Sequence, residues 1–170
     1  EATLAARIAA RVGAPAGDVA WLQRQHASLE TELGHFDAAR AAINAARSAQ
    51  AALTPLASLG VDLTAARIED EAGKPDLARD GYRGVVEKAK SIDVAATQRG
   101  ETAATMSEIA RSNLAAVLRD SGAVDEATAL SRAVYADRLA RLGEHHPLTL
   151  ASRHKLALSL AAQGLNDQAA

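Results

Sequence analysis

The sequence predicts an all-α chain in which antiparallel helix pairs stack into a solenoid, and three observations carry the prediction. First, 43 of the 170 residues are alanine and only 2% are aromatic. Sheet cores draw on β-branched and aromatic side chains, so this composition favours small, closely packed helices. Second, one spaced pattern, Ala, six residues, Gly, two residues, Asp, one residue, Ala, occurs four times. Third, apolar residues recur at helical spacing between these marks. Ala127, Leu130 and Val134 are continued by Leu139 and Leu142, and Ile109, Leu114, Val117 and Leu118 line the helix before.

The four copies are Ala27-Gly34-Asp37-Ala39, Ala66-Gly73-Asp76-Ala78, Ala115-Gly122-Asp125-Ala127 and Ala157-Gly164-Asp167-Ala169. At this composition chance supplies on the order of 0.04 copies, so the chain is a repeat protein. The glycines lie 39, 49 and 42 residues apart, the period of a two-helix unit with variable connections. Each position has a physical role. Glycine suits the left-handed residue that closes a helix. Asp three residues later is expected to cap the next helix. The alanines let two backbones approach where the helices cross.

In chain order, a helix over 2–12 opens the sequence, with Leu4, Ile8 and Val12 available to cluster with Trp21. A helix over 18–33 ends at Gly34, and its partner spans 37–51. Thr54-Pro55 starts a helix over 55–72, because proline lacks only an N–H that the first turn leaves unbonded. Gly73 ends it, and Asp76 opens 76–90. The stretch 91–101, with Gly100 and few large apolar residues, reads as an irregular insertion and explains the longest glycine spacing. Helices over 102–121, 125–142 and 147–163 follow, the last entered through His146-Pro147, and another starts at Asp167. Residues 1–17 are thus expected to end a preceding repeat, with four repeats over about 18–51, 55–90, 102–142 and a truncated 147–170. Opening on Glu1 and ending inside a starting helix, the chain is expected to be a piece of a longer protein.

Composition narrows the functions. Nineteen Lys and Arg against 21 acidic residues give a net charge of −2, which is no footprint for nucleic acid or an anionic membrane. No cysteine is present, which removes disulfides, thiolate catalysis and Cys-ligated metals. No stretch is long and apolar enough to cross a bilayer. Nucleotide-binding glycine motifs, the nucleophile elbow, the zincin motif and the EF-hand loop are all missing. Neither a cofactor nor a metal is expected. His145 and His146 are adjacent and splay apart, His154 stands alone, and His26 and His35 read as structural.

At these residues the sequence resembles the tetratricopeptide repeat (TPR), whose helix-turn-helix units carry small residues, a Gly and an Ala in this order. The last unit is similar to the kinesin light chain type in Leu142-Gly143-Glu144-His145-His146-Pro147-Leu148-Thr149-Leu150, then Leu156-Ala157 and Gln163-Gly164. The resemblance implies a right-handed superhelix, no catalysis and a protein or peptide partner bound on the concave face. It also implies a docking or regulatory module of a cytoplasmic, multidomain bacterial signalling protein. The chain departs from that family at Glu30, Glu69, Leu118 and Leu160, where the repeat prefers a large aromatic. Of the paired asparagines that contact peptide backbone in kinesin light chain repeats, only Asn113 carries over.

Aligning the copies places Trp21, Arg24, Ser28, Leu63, Arg67, Asp70, Asn113, Ala116, Arg119, His154 and Leu158 on the concave side. The best candidates for gripping a partner are Arg24, Arg67 and Arg119, whose guanidinium forks match carboxylates and peptide carbonyls. Asp70, Asn113, His154 and Leu158 complete the set, and Trp21 is a candidate anchor. Two alternatives stand beside partner binding. One is self-association into a homodimer through Trp21 or an open repeat edge. The other is sensing of a small peptide.

Overall fold

The computed structural model describes residues 13–48, 50–93, 95–98 and 100–164. Among them are seven α-helices: α1 (Ala16–Glu32), α2 (Phe36–Ser48), α3 (Pro55–Glu71), α4 (Pro75–Ala89), α5 (Ala103–Asp120), α6 (Val124–Leu142) and α7 (Pro147–Ala162). A 3-10 turn, Gln50–Ala52, precedes α3, so α2 stops three residues before the expected end. The helix expected over 2–12, its Leu4, Ile8 and Val12, and the last signature pair, Asp167 and Ala169, lie outside the described residues.

The signature glycines behave as their chemistry requires. Gly34, Gly73, Gly122 and Gly164 have φ of 76°, 69°, 87° and 73°, a left-handed conformation that side chains with a Cβ disfavour. In the three turns joining α1–α2, α3–α4 and α5–α6, the next residue does double duty. The N–H groups of His35, Lys74 and Ala123 donate to the carbonyls of Glu30, Glu69 and Leu118 at 2.8 Å, completing a Schellman closure. Their own carbonyls accept the first bonds of the following helices, from Ala39, Ala78 and Ala127 at 3.0 Å.

That sharing corrects the expected role of aspartate. The residue before α4 is Lys74 and before α6 is Ala123, and neither side chain caps. Asp37, Asp76 and Asp125 sit inside the first turn of α2, α4 and α6. There their charge complements the helix dipole without a capping bond. Asp37 and Asp76 also pair with Arg40 at 3.1 Å and Arg79 at 2.8 Å, three residues on. Side-chain caps occur before two of the helices that open on proline, α3 and α7. Thr54 Oγ1 accepts from Ala57 N at 3.1 Å, and His146 Nδ1 accepts from Leu148 N at 3.2 Å.

The chain divides into two compact units, Glu1–Ser107 and Glu108–Ala170, with the boundary inside α5. In the first, α1 to α4 pack sequentially around Ala20, Ala27, Ala39, Ala42, Ile43, Val61 and Ile68, all buried. The alanine excess thus fills a thin core between close helices. A Cβ on Gly81 of α4 would come within 2.8 Å of the Ala66 Cβ on α3, which marks a close approach of these two helices. The insertion holds a two-residue hairpin that the sequence does not announce. Strand β1 (Thr97–Gln98) pairs antiparallel with β2 (Glu101–Thr102). Thr102 then starts α5 by accepting from Thr105 N at 3.1 Å.

In the second unit Leu114, Val117 and Leu118 are buried as expected, whereas Ile109 and Leu139 are exposed. The buried face of α6 runs through Ala127, Thr128, Ser131, Val134 and Arg138 instead of the Leu130–Leu139 course. Small hydroxyls replace large apolar groups between helices, as in Ser131 Oγ with Ser159 Oγ at 3.2 Å. Glu108 and Arg138, only 8% and 5% exposed, pair at 2.8 Å. Arg141 reaches the second oxygen of Glu108, and Arg138 donates onward to the Leu148 carbonyl at 3.0 Å. A buried charge is tolerated on such terms, with its partners in place.

Candidate binding face

Helices α1 and α3, the first members of their pairs, bring Trp21, Arg24, Arg67 and Asp70 into the first unit. Their neighbours decide which are available. Arg24 is committed: its Nη1 and Nη2 grip Glu101 Oε2 and Oε1 at 2.8 and 3.0 Å, and its Nε donates to Thr64 Oγ1 at 3.2 Å. The guanidinium lies directly over Gly60, where a Cβ would be 2.4 Å from Nη1. Asp70 accepts the phenolic hydroxyl of buried Tyr82 at 2.9 Å. Leu63, expected on the open side, is buried. Arg67 is exposed, and Trp21 and Ser28 are half-buried.

In the second unit Asn113 and Ala116 are half-buried, His154 is exposed and Leu158 is 42% exposed. Arg119 turns to its neighbour Asp120 at 2.7 Å. Next to Asn113 and His154, Lys155 Nζ donates to buried Ser112 Oγ at 2.9 Å.

A second surface in the first unit is an open groove of about 450 Å³ between α2 and α4, floored by α3. Ile43, Ala66 and Val85 supply apolar walls, and the open side of Gly84 widens it. Ion pairs close both ends. Arg40 holds Glu69 at 2.8 Å at one, and Asp62 takes Arg47 at 3.4 Å and Lys88 at 2.5 Å at the other. The hydrogen bonds from Arg40 hold the Glu69 carboxyl below its usual range against the opposing effect of burial. His26 and His35, read as structural, meet at Glu30, with distances of 3.1 and 2.9 Å. The His35 contact is the main cause of the lowered Glu30 carboxyl. No group of three His, Cys, Asp or Glu side chains among the described residues is arranged to hold a metal ion.

Sequence reasoning missed Glu101, Thr64 and Gly60. Gly60 carried the available signal, since a glycine within a helix costs about 1 kcal/mol relative to Ala and needs a packing reason.

No family model matches the chain, and no curated protein matches it. Among solved structures the chain is similar to the nearly identical TPR-like repeats of a Podosopora anserina protein assigned to the kinesin light chains. The TM-score is 0.72 and the identity 24%, over 86% of this chain and 68% of that one. A structure of a methionine-substituted variant of the same repeats gives a TM-score of 0.44 and 21% identity, over 86% and 87%. Helices packed in adjacent pairs and the first of these likenesses give the fold: a TPR-like helical-repeat domain. No helix among the described residues is long and apolar enough to cross a membrane.

Proposed function

We propose that this domain is a non-catalytic scaffold that binds a segment of a protein partner across its first helices, as a cytoplasmic docking or regulatory module in a larger bacterial signalling protein. One observation supports the reading. The first helices keep Arg67, His154 and Leu158 open to solvent, while the signature alanines Ala27, Ala66 and Ala115 are buried and Ala157 is half-buried. Repeats of paired helices commonly bind partners through their first helices. Arg67 supplies a fork for carboxylates or carbonyls, Leu158 an apolar contact, and half-buried Trp21 an amphipathic edge.

Photo-crosslinking in the source cell tests it. A photoreactive side chain at position 67 or 158 should trap a heterologous protein, and one at exposed Arg132 on α6 should not. Equal trapping at all three positions would overturn the reading. The second reading, self-association, rests on exposed leucines at the end of α1, where Leu29 and Leu33 are 61% and 66% exposed. Adducts consisting only of the chain with itself would favour it.

A further inference from the structure

The Arg24 contact is built as a seat, and it is filled from within the chain. The guanidinium side chain is only 11% exposed. Thr64 Oγ1 fixes its Nε edge and is itself anchored by donating to the Gly60 carbonyl at 3.0 Å. Gly60 leaves the room in which the guanidinium lies, since any Cβ there would collide with it. What remains is a fork of two N–H groups whose geometry matches a carboxylate. Its occupant, Glu101, comes from 77 residues away in sequence and is carried on the edge strand of a hairpin only two residues deep. Trp21, Gly17 and Ala57 border the same spot.

A two-stranded hairpin of this size has little stability of its own, so the grip of Arg24 on Glu101 and the contact with α3 hold it in place. Resting on the proposed binding role of the first helices, we propose that Arg24, Thr64 and Gly60 form a carboxylate subsite for an extended partner segment, and that the hairpin is an internal competitor whose Glu101 must leave before a partner's Glu or Asp is seated. Affinity for the partner is then lowered by the fraction of molecules in which the strap is closed.

The chain's own strap sequence provides the probe. A labelled, end-blocked peptide of residues 95–103 is titrated into the wild-type domain and into Glu101→Ala and Glu101→Gln variants. At least tenfold tighter binding to both variants is expected. The same peptide with Gln in place of Glu101 should lose that gain. Gly60→Ala, which displaces the guanidinium without changing any charge, should bind the peptide no better than wild type. Trp21, the single tryptophan, reports the strap directly. Acrylamide should quench its fluorescence more in Glu101→Gln and in Gly60→Ala. Equal peptide affinity for wild type and both Glu101 variants, or an unchanged Trp21 quenching constant, overturns the proposal. Crosslinking from position 67 is independent of this outcome: a partner still trapped there would keep the binding role while the internal competitor falls.

Discussion

Tyr82 on α4 is fully buried, and its phenolic hydroxyl donates to Asp70 on α3 at 2.9 Å across the helix pair. An aspartate aligned with the binding face therefore holds a pair together. Removing only the hydroxyl, in Tyr82→Phe, should cost about 1–2 kcal/mol, because the bond is to a charged acceptor that keeps other contacts. A shift of the urea midpoint at unchanged slope would record it, and no shift would show that Asp70 is equally well satisfied by water.

The two glycines of α4 should respond in opposite directions. Gly81→Ala pushes a methyl to within 2.8 Å of the Ala66 Cβ and should destabilise by about 1–3 kcal/mol. Ala66→Gly in the same chain should recover part of the loss. Gly84→Ala meets nothing within 4 Å and should stabilise by about 0.5–1 kcal/mol, as helix propensity dictates. Thermal unfolding of these variants checks the set.

Acid should weaken the first unit through Glu69. Its carboxyl is lowered from an ordinary value of 4.5, chiefly by hydrogen bonds from Arg40. A depressed folded pKa means that the stabilisation is complete above the ordinary value and is lost as pH falls through the lowered one. Unfolding midpoints should therefore drop as the pH falls below the ordinary carboxyl value of 4.5, with a shallower slope in Glu69→Gln.

In the second unit Glu108→Ala should be among the most damaging single changes. It leaves Arg138 buried without its carboxylate, a loss of about 3–5 kcal/mol. Leu118→Ala, deleting a buried apolar side chain, should cost a comparable amount, about 2–5 kcal/mol, through the cavity left behind. Denaturant titration of both variants measures the losses. Replacing Glu108 and Arg138 together by apolar residues should restore much of the first loss, and failure to do so would assign the cost to packing rather than charge.

How far the sequence was legible depends on the range of each interaction. Gly34, Gly73 and Gly122 marked their turns because a left-handed residue is a local demand, and Thr54-Pro55 and His146-Pro147 marked helix starts for the same reason. The aspartates misled by a short step along the chain, since the turn residue after each glycine had already taken the capping place. The hairpin at 97–102 was hidden because two-residue strands have no periodicity and this one is held by Arg24 from far upstream. The polar seam of α6 was hidden too: Ser131 and Ser152 look like surface residues until neighbouring carbonyls and hydroxyls satisfy them. Arg24 stood out as a fork for a carboxylate, but Glu101, the carboxylate it holds, lay in the stretch set aside as irregular.

The shared turn residues His35, Lys74 and Ala123 impose a rule on how this chain can change length. One residue terminates one helix and initiates the next, so a single-residue insertion at such a turn would unseat both ends at once. Among the described residues the joint between pairs after Ala89 carries no such double duty, and lengthening a surface connection costs little. Insertions and deletions should accumulate there, and a foreign loop should be grafted there. A one-residue insertion scan read out by soluble yield would map the array into rigid two-helix cassettes joined by adjustable spacers.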